Sequence, residues 1–442
     1  MKPEVVERVR AAGVVGAGGA GFPTHVKIDA RVEVALANGA SCEPLLKSDV
    51  ELMARETEAV LTGLEAVMAA TAAKRGLVCL KAKHEKALAA LEDQCGRGGF
   101  PGVEIEKLGD FYPAGDEMVL VYEVLGRVTP EGGLPLEVGA VVGNVESLVN
   151  VAAALEGRPV TERRLTVAGE VRRSIVAKVP IGLSLGEVID LAGGPTVADF
   201  KVVLGGPMMG LVTDDLTTPV TKTTSGIIVL PAGHNVITGK IKDPERIRYI
   251  TKVACCQCSR CTDLCPRRLL GHGLEPHKIM RQLGSPLGPA RAVTRDALIC
   301  SECGVCEKFA CPMMISPREV NARIKKELLA GGVKRLSQRE TYTPSAFREV
   351  RRVPTSRLIE RLNLGRYDRP PEYYDQEIKP RRVVIPLKQH LGAPARAVVQ
   401  PGDWVRKGDL IGEIPDGVLG ARVHASLEGR VAAVDGSVVI EA

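Results

Sequence analysis

The spacing of apolar residues changes character several times along the chain, and each change predicts a different packing unit. Up to about residue 158, amphipathic stretches alternate with glycine-rich turns. The pattern predicts helices over residues 5–12 and 54–73, a buried strand over 76–80 and a helix over 84–92. Helices and strands taken in turn predict an α/β domain over 1–158. From 159 to 235 the pattern shortens to strands over 164–168, 171–179, 201–204 and 226–230, with one helix over 185–192, the order of a small β-grasp. Helical spacing returns over 274–283, 289–298 and 317–329, within a unit bounded at 245–330. Residues 331–382 read as a connector with one amphipathic patch at 356–362 and a Pro370-Pro371 break. Beyond it, 383–442 is strand-like with glycine at nearly every turn. The fold class is therefore multidomain, α/β and α+β.

Hydrophobic residues make up 45% of the 442, a globular proportion. No run approaches the ~18 apolar residues of a membrane span, so no transmembrane segment is expected. The opening Met1-Lys2-Pro3-Glu4 has no apolar signal core. Thiol-rich runs without a signal predict a reducing, cytoplasmic setting. The net charge of +6 is unevenly spread: residues 316–382 hold 17 Lys and Arg against 9 Asp and Glu. The aromatics in that stretch are irregularly spaced and form no base-stacking platform, which argues against nucleic acid. The segment reads as a solvated linker or, more sharply, as a docking surface for an acidic electron-transfer partner.

Chemistry enters with the cysteines. Of twelve, eight fall in two runs: Cys255, Cys258, Cys261 and Cys265 before Pro266, then Cys300, Cys303, Cys306 and Cys311 before Pro312. Three thiolates at three-residue intervals can converge on one cubane, and the Cys-Pro ending is that of iron–sulfur runs. In two-cluster ferredoxins the last cysteine of each run ligates the other cluster. By that rule Cys255, Cys258, Cys261 and Cys311 hold one [4Fe–4S] cluster, and Cys300, Cys303, Cys306 and Cys265 the second. A four-cysteine zinc site is the competing reading. The second run has four residues rather than three before its last cysteine, and Cys256 lies off the register.

Gly16-Ala17-Gly18-Gly19-Ala20-Gly21 matches GxGxxG. A helical stretch stands where a dinucleotide fold needs a strand, and Phe22-Pro23 interrupts the helix that should follow. What remains is a loop whose amides can form an anion nest. A GxSxG match at residues 182–186 reads instead as a capping box, Ser184 with Glu187, at the start of a helix.

Four segments in order carry a family resemblance. Residues 16–23 with Lys27 resemble the flavin loop of the NADH-oxidising subunit of respiratory complex I. Residues 38–44 resemble that family's second flavin segment, Gly115-Asp116-Glu117 its third, and residues 144–147 its fourth. The β-grasp (SLBB-like) module with residues 205–210, the two cysteine runs and a biotinyl/lipoyl-like sandwich resemble the RnfC protein of the Rnf electron-transport complex. The sandwich stands at the C-terminus, marked by residues 390–394, Gly402-Asp403, residues 407–409 and residues 423–426. That order, with the extra residue before Cys311, is similar to the cobalamin reductases of propanediol-utilisation microcompartments.

The resemblance implies FMN, NADH as electron donor, two [4Fe–4S] clusters and cobalamin as a substrate. It assigns the flavin site to Gly16, Gly18, Gly19, Gly21, Phe22, Lys27, Asn38, Glu43, Gly115, Glu117 and Asn144. Lys27 and the loop amides would take the phosphate, Asn38, Glu43 and Asn144 the ribityl chain and ring, and Phe22 a nicotinamide or adenine ring. It also implies an oligomer or larger complex with a redox partner or a cobalamin-dependent enzyme system, and a cytoplasmic, microcompartment or complex-associated location. Ala17, where the complex I loop has Arg, and Ser41-Cys42, in place of acidic positions, leave open a relay subunit that has lost direct NADH use. The sandwich has no lysine in its residue 420–423 turn, so no biotin or lipoyl group is expected and the module reads as docking or scaffold.

Overall fold

The computed structural model describes residues 2–284, 294–333, 341–415 and 417–442. The first unit is built on a four-stranded parallel sheet in the order β3-β2-β1-β5: β1 is Val34–Gly39, β2 Arg75–Lys81, β3 Val103–Leu108 and β5 Ala140–Asn144. β1 and β2 read as near-continuous apolar runs because helices bury both faces of a parallel sheet. The helices Thr57–Thr71 and Val145–Leu155 pack so closely that a Cβ on Gly63 would lie 2.0 Å from the Leu148 carbonyl oxygen. Glycine there is a condition of the packing.

The second unit is a six-stranded sheet in the order β12-β7-β6-β10-β8-β9, with β6 Glu162–Gly169, β7 Ile175–Pro180, β8 Phe200–Leu204, β9 Leu211–Thr213, β10 Gly226–Pro231 and β12 Glu372–Tyr374. Its helix, Leu185–Leu191, starts on Ser184 and Glu187, each accepting the other's backbone N–H. The expected strand over 171–179 begins later, at Ile175, because Gly169 turns the chain (φ +96°) and Val171 only bridges Pro195. The C-terminal unit pairs Arg382–Pro386, Ser437–Glu441, Gly429–Val434 and Trp404–Val405 in one sheet and three short strands in another. Its apolar side chains join the same core as the first unit.

The cysteine unit is made of short helices, among them Pro244–Ala254, Pro276–Gly284 and Pro317–Ala330. Part of the helix expected over 289–298 lies outside the described residues; Asp296–Ile299 forms a 3₁₀ turn. Among the described residues no helix is long and apolar enough to cross a membrane.

The reading of residues 331–382 as a linker is corrected. From 341 onward this segment is a strap laid across the other units. β11, Val353–Pro354, pairs with β4, Phe111–Tyr112, of the first unit, and β12, Glu372–Tyr374, adds a parallel edge strand to β7 of the second. Between them Leu358, Ile359, Leu362, Leu364 and Tyr367 are buried in a core shared with Tyr112, Met208 and Cys303. Its charges are also engaged: Arg348 and Arg352 bind Glu123, Arg351 pairs with Asp263 and Arg366 with Glu170. With Arg348, Arg351, Arg352 and Arg366 tied down internally, the segment makes a poorer docking surface.

Candidate flavin and iron–sulfur site

The glycine-rich loop follows the helix Lys2–Ala11 and precedes the short helix Thr24–Ile28, so it does not open a Rossmann unit. It closes on itself, with Val15 bridging Pro23, the Gly16 N–H donating to the Phe22 carbonyl (2.9 Å) and the Gly21 N–H to the Gly16 carbonyl (3.2 Å). Three units fasten it. The Ala17 N–H donates to Ser147 Oγ (2.8 Å), Arg163 Nη2 of β6 donates to the Ala17 carbonyl (2.9 Å), and the Leu391 N–H of the C-terminal sandwich donates to the Gly21 carbonyl (3.0 Å). Gly18, Gly19 and Ala20 are left exposed, and among the described residues nothing accepts from their amides. Such unused, adjacent N–H groups suit an anion.

The other three segments gather on the same side, at the carboxyl ends of β1 and β5, where open α/β sheets bind ligands. Asn38 Nδ2 donates to the Gly115 carbonyl (2.9 Å), and the Gly115 N–H donates to Cys42 Sγ (3.2 Å). A Cβ on Gly115 would sit 3.0 Å from that sulfur. Burial pushes the Cys42 thiol up to about 11. Lys27 Nζ meets Glu117 Oε1 at 2.6 Å. Asn144 caps the helix Val145–Leu155 through the Glu146 N–H (2.9 Å), and its Nδ2 donates to Asp49 (2.9 Å), whose carboxyl burial raises to about 6.

Gly16, Gly18, Gly19, Gly21, Phe22, Lys27, Asn38, Glu43, Gly115, Glu117 and Asn144 all line one cleft of about 750 Å³. That volume is within the range of small-molecule sites. The free amides, the lysine and the apolar walls match the phosphate, charge and ring system of FMN. The structure revises the expected duties of three residues. Asn38 and Asn144 use their side-chain amides to tie segments together, and both oxygens of Glu43 accept backbone N–H groups, from Met208 and Met209 (2.9 Å each). Glu43 thus fixes the residue 205–210 loop of the β-grasp as a wall of the cleft, where Gly205, Met209 and Leu211 also stand.

Two arginines that hold the site, Arg163 and Arg267, carry no sequence motif. Arg163 is 2% exposed and forms an ion pair with the fully buried Glu146, while its Nε donates to the Thr224 carbonyl (2.7 Å). Asp116 caps the helix Glu117–Leu125 and takes a two-point hydrogen bond from Arg267 (2.5 and 2.9 Å), two residues after Cys265. Arg163 and Arg164 side by side near the start of a largely buried strand are the one sequence signal for the first of these.

The strongest electrostatic neighbours among the cysteines follow the two crossed groups, with Cys261 also near Cys265. None of the cysteines is in a disulfide. Burial first, then Cys258, Cys311 and Cys255, hold the Cys261 thiol up to about 12, and Cys311 in turn feels Cys258 and Cys255. Burial, then Cys265, raises Cys303 to about 12, and Cys306 feels Cys300, Cys303 and Cys265. Cys265, Cys300, Cys303 and Cys306 line one small void. Among the described residues no three such side chains close to the spacing of a single-ion site; a cubane sets its four thiolates around a wider body. Thiols crowded and buried in this way ionise only if a cation joins them, which the irons of a cluster supply. The extra residue before Cys311 is absorbed in Val305–Ala310, a turn of π-helix, which takes up an inserted residue without breaking the run.

The two groups differ in depth. Cys265, Cys300, Cys303 and Cys306 are all buried, whereas Cys258 is exposed and Cys255 and Cys261 are half-buried. Cys303 is itself in the wall of the cleft, and Tyr112 Oη, beside it, donates to the Cys303 carbonyl (2.7 Å).

Comparison with known proteins agrees with this division. Four family models match: the Nuo51 FMN-binding domain over residues 9–153, the SLBB domain over 164–212, the 4Fe-4S dicluster domain over 254–316 and the RnfC barrel sandwich hybrid domain over 374–442. The NAD+-reducing [NiFe]-hydrogenase in its H2-reduced state shares the fold at a TM-score of 0.50 and 20% identity, over 75% of this chain and 62% of that one. Fold and site together define a flavo-iron–sulfur oxidoreductase that uses FMN and two [4Fe–4S] clusters. The cobalamin reductase PduS of Salmonella typhimurium is 43% identical over 98% of this chain and 94% of its own, and that of Citrobacter freundii 42% over 97% and 94%. The chain belongs to the cobalamin reductase PduS family. One component of the proton-translocating ferredoxin:NAD(+) oxidoreductase complex of Clostridium ljungdahlii is 34% identical over 60% of this chain and 56% of its own.

Proposed function

We propose that this protein accepts hydride from NADH at the cleft and passes single electrons outward to cobalamin. Bound FMN supplies the conversion of a two-electron donor to one-electron steps, and the clusters carry the electrons on. The amides of Gly18, Gly19 and Ala20, with Lys27, hold the phosphate in this reading. Gly16 and Gly21 shape the loop, Gly115 leaves room for the ring, and Phe22 stacks on the donor. Asn38, Glu43, Glu117 and Asn144 keep the walls in place. Cys265, Cys300, Cys303 and Cys306 ligate the inner cluster and Cys255, Cys258, Cys261 and Cys311 the outer one. The observation that carries the proposal is the place of Cys303, in the wall of the cleft that gathers every flavin segment.

Cobalamin as acceptor rests on relatives matched over nearly their whole length. A relay subunit of an Rnf-like complex is the weaker reading, because those relatives match only 60% of the chain. The family resemblance points to work in the cytoplasm inside a microcompartment, alongside a cobalamin-dependent enzyme system. The test is anaerobic titration of the iron- and FMN-loaded protein with NADH, followed by oxidised cobalamin. Flavin and cluster absorbance should bleach with NADH and return as the corrin spectrum changes. Clusters that stay oxidised under NADH would refute the donor, and clusters that stay reduced with cobalamin would refute the acceptor.

A further inference from the structure

The outer cysteine group opens on a surface that the mechanism leaves unused. Cys255 caps the helix Pro244–Ala254, and Cys256 and Cys258, just beyond, are exposed. The helix turns Arg246, Arg248, Tyr249, Lys252 and Val253 to solvent, Tyr249 and Val253 each at 66% exposure. On the far side of the same group, Met313 and Met314 follow Cys311 and are also exposed. Lys242 joins the two sides, donating to the Met314 carbonyl (3.2 Å) and Ser316 Oγ (2.9 Å).

The charge of this face is one-sided. Among the described residues Arg246, Arg248, Lys252 and Arg260 have no acidic partner, in contrast to Arg348, Arg352 and Arg366 of the strap. The acids of the helix, Asp243 and Glu245, stand at its start, and Asp243 is occupied in capping it. Apolar side chains ringed by free cations beside the most exposed cluster ligands form a surface for brief, electrostatically guided contact.

We infer that this face docks an acidic electron-acceptor protein, so that the acceptor is presented on a protein carrier of negative charge. The inference rests on the reading that electrons leave through the cluster held by Cys255, Cys258, Cys261 and Cys311. Long-range attraction between opposite charges raises association rates at low salt and is lost as salt screens it.

Two haem proteins serve as probes, acidic cytochrome b5 and basic cytochrome c, each mixed anaerobically with FMN- and iron-loaded protein that has been reduced with dithionite and desalted. Loading with dithionite makes the result independent of NADH. The rate with cytochrome b5 should fall as salt rises, and the rate with cytochrome c should not. Arg248→Glu with Lys252→Glu should slow cytochrome b5 about ten-fold or more at low salt and speed cytochrome c. The milder Arg248→Gln with Lys252→Gln, checked for full iron content, should slow cytochrome b5 in the same direction and serves if the reversed protein loses its cluster. Rates with both probes that are unchanged in these variants, with clusters intact, would overturn the proposal.

Discussion

Arg163 holds the flavin loop from behind, joining Ala17, Glu146 and Thr224 from a buried position. In Arg163→Met, the buried Glu146 loses its nearer guanidinium and keeps only Arg164, through its backbone N–H (2.8 Å) and a longer ion pair (3.9 Å), which costs about 3 kcal/mol; urea unfolding should show the lower midpoint. Asp49 gives a pH signature. Its carboxyl rises from 3.8 to about 6 in the fold through burial, so the folded protein holds this proton more tightly than the unfolded chain. The contribution to stability is complete below about pH 4 and is lost as pH rises through about 6. The melting temperature of Asp49→Asn should therefore fall less between about pH 5 and pH 7 than that of the parent. Motif residues such as Gly18, Lys27 and the eight cysteines were legible because their chemistry depends on near neighbours in the chain. Arg163 was not, since it meets Ala17 across more than a hundred residues, and although Ser147 lies in the fourth motif, its equally distant bond to the Ala17 N–H carries no sequence signal.

Among the elements, the loop, the π-turn and the strap each show how context decides. Gly21 has φ +66°, and a Cβ there would lie 2.9 Å from Thr223 Cγ2 and 3.1 Å from His390 Cα, so the loop fits only as a glycine between two other units. Gly21→Ala should cost about 1–2 kcal/mol in backbone strain alone and weaken FMN about ten-fold, as read by quenching of flavin fluorescence. Helices and strands with a steady apolar period, such as Thr57–Thr71 and β2, were evident from sequence alone. The strap was not, because Val353, Leu358, Leu362 and Tyr367 reach their partners in short pieces set among arginines. Its charge reads as solvated until Glu123 and Glu170 are seen beside it. The irregular spacing before Cys311 likewise becomes intelligible once the six-residue turn Val305–Ala310 is seen to carry it.

At the scale of the molecule, the C-terminal sandwich is more than an appended module. The Leu391 N–H meets the flavin loop, and Lys222, fully buried and lowered to about 7 by that burial, donates to the carbonyls of Gly13 (2.7 Å) and Arg422 (2.6 Å). Loop, β-grasp and sandwich are thus fastened at one junction, and the cysteine unit is fastened to the same cleft through Asp116 and Arg267. The arrangement sets cleft, inner cysteine group and outer cysteine group in series, with the cleft open at one end and the outer group the more exposed of the two cysteine groups at the other. Rapid mixing of NADH with FMN- and iron-loaded Cys258→Ala protein, followed by electron paramagnetic resonance, tests that order. The remaining inner cluster should be reduced at the rate of the parent while reduction of cytochrome b5 is lost. An inner cluster that NADH no longer reduces in this variant would contradict the order.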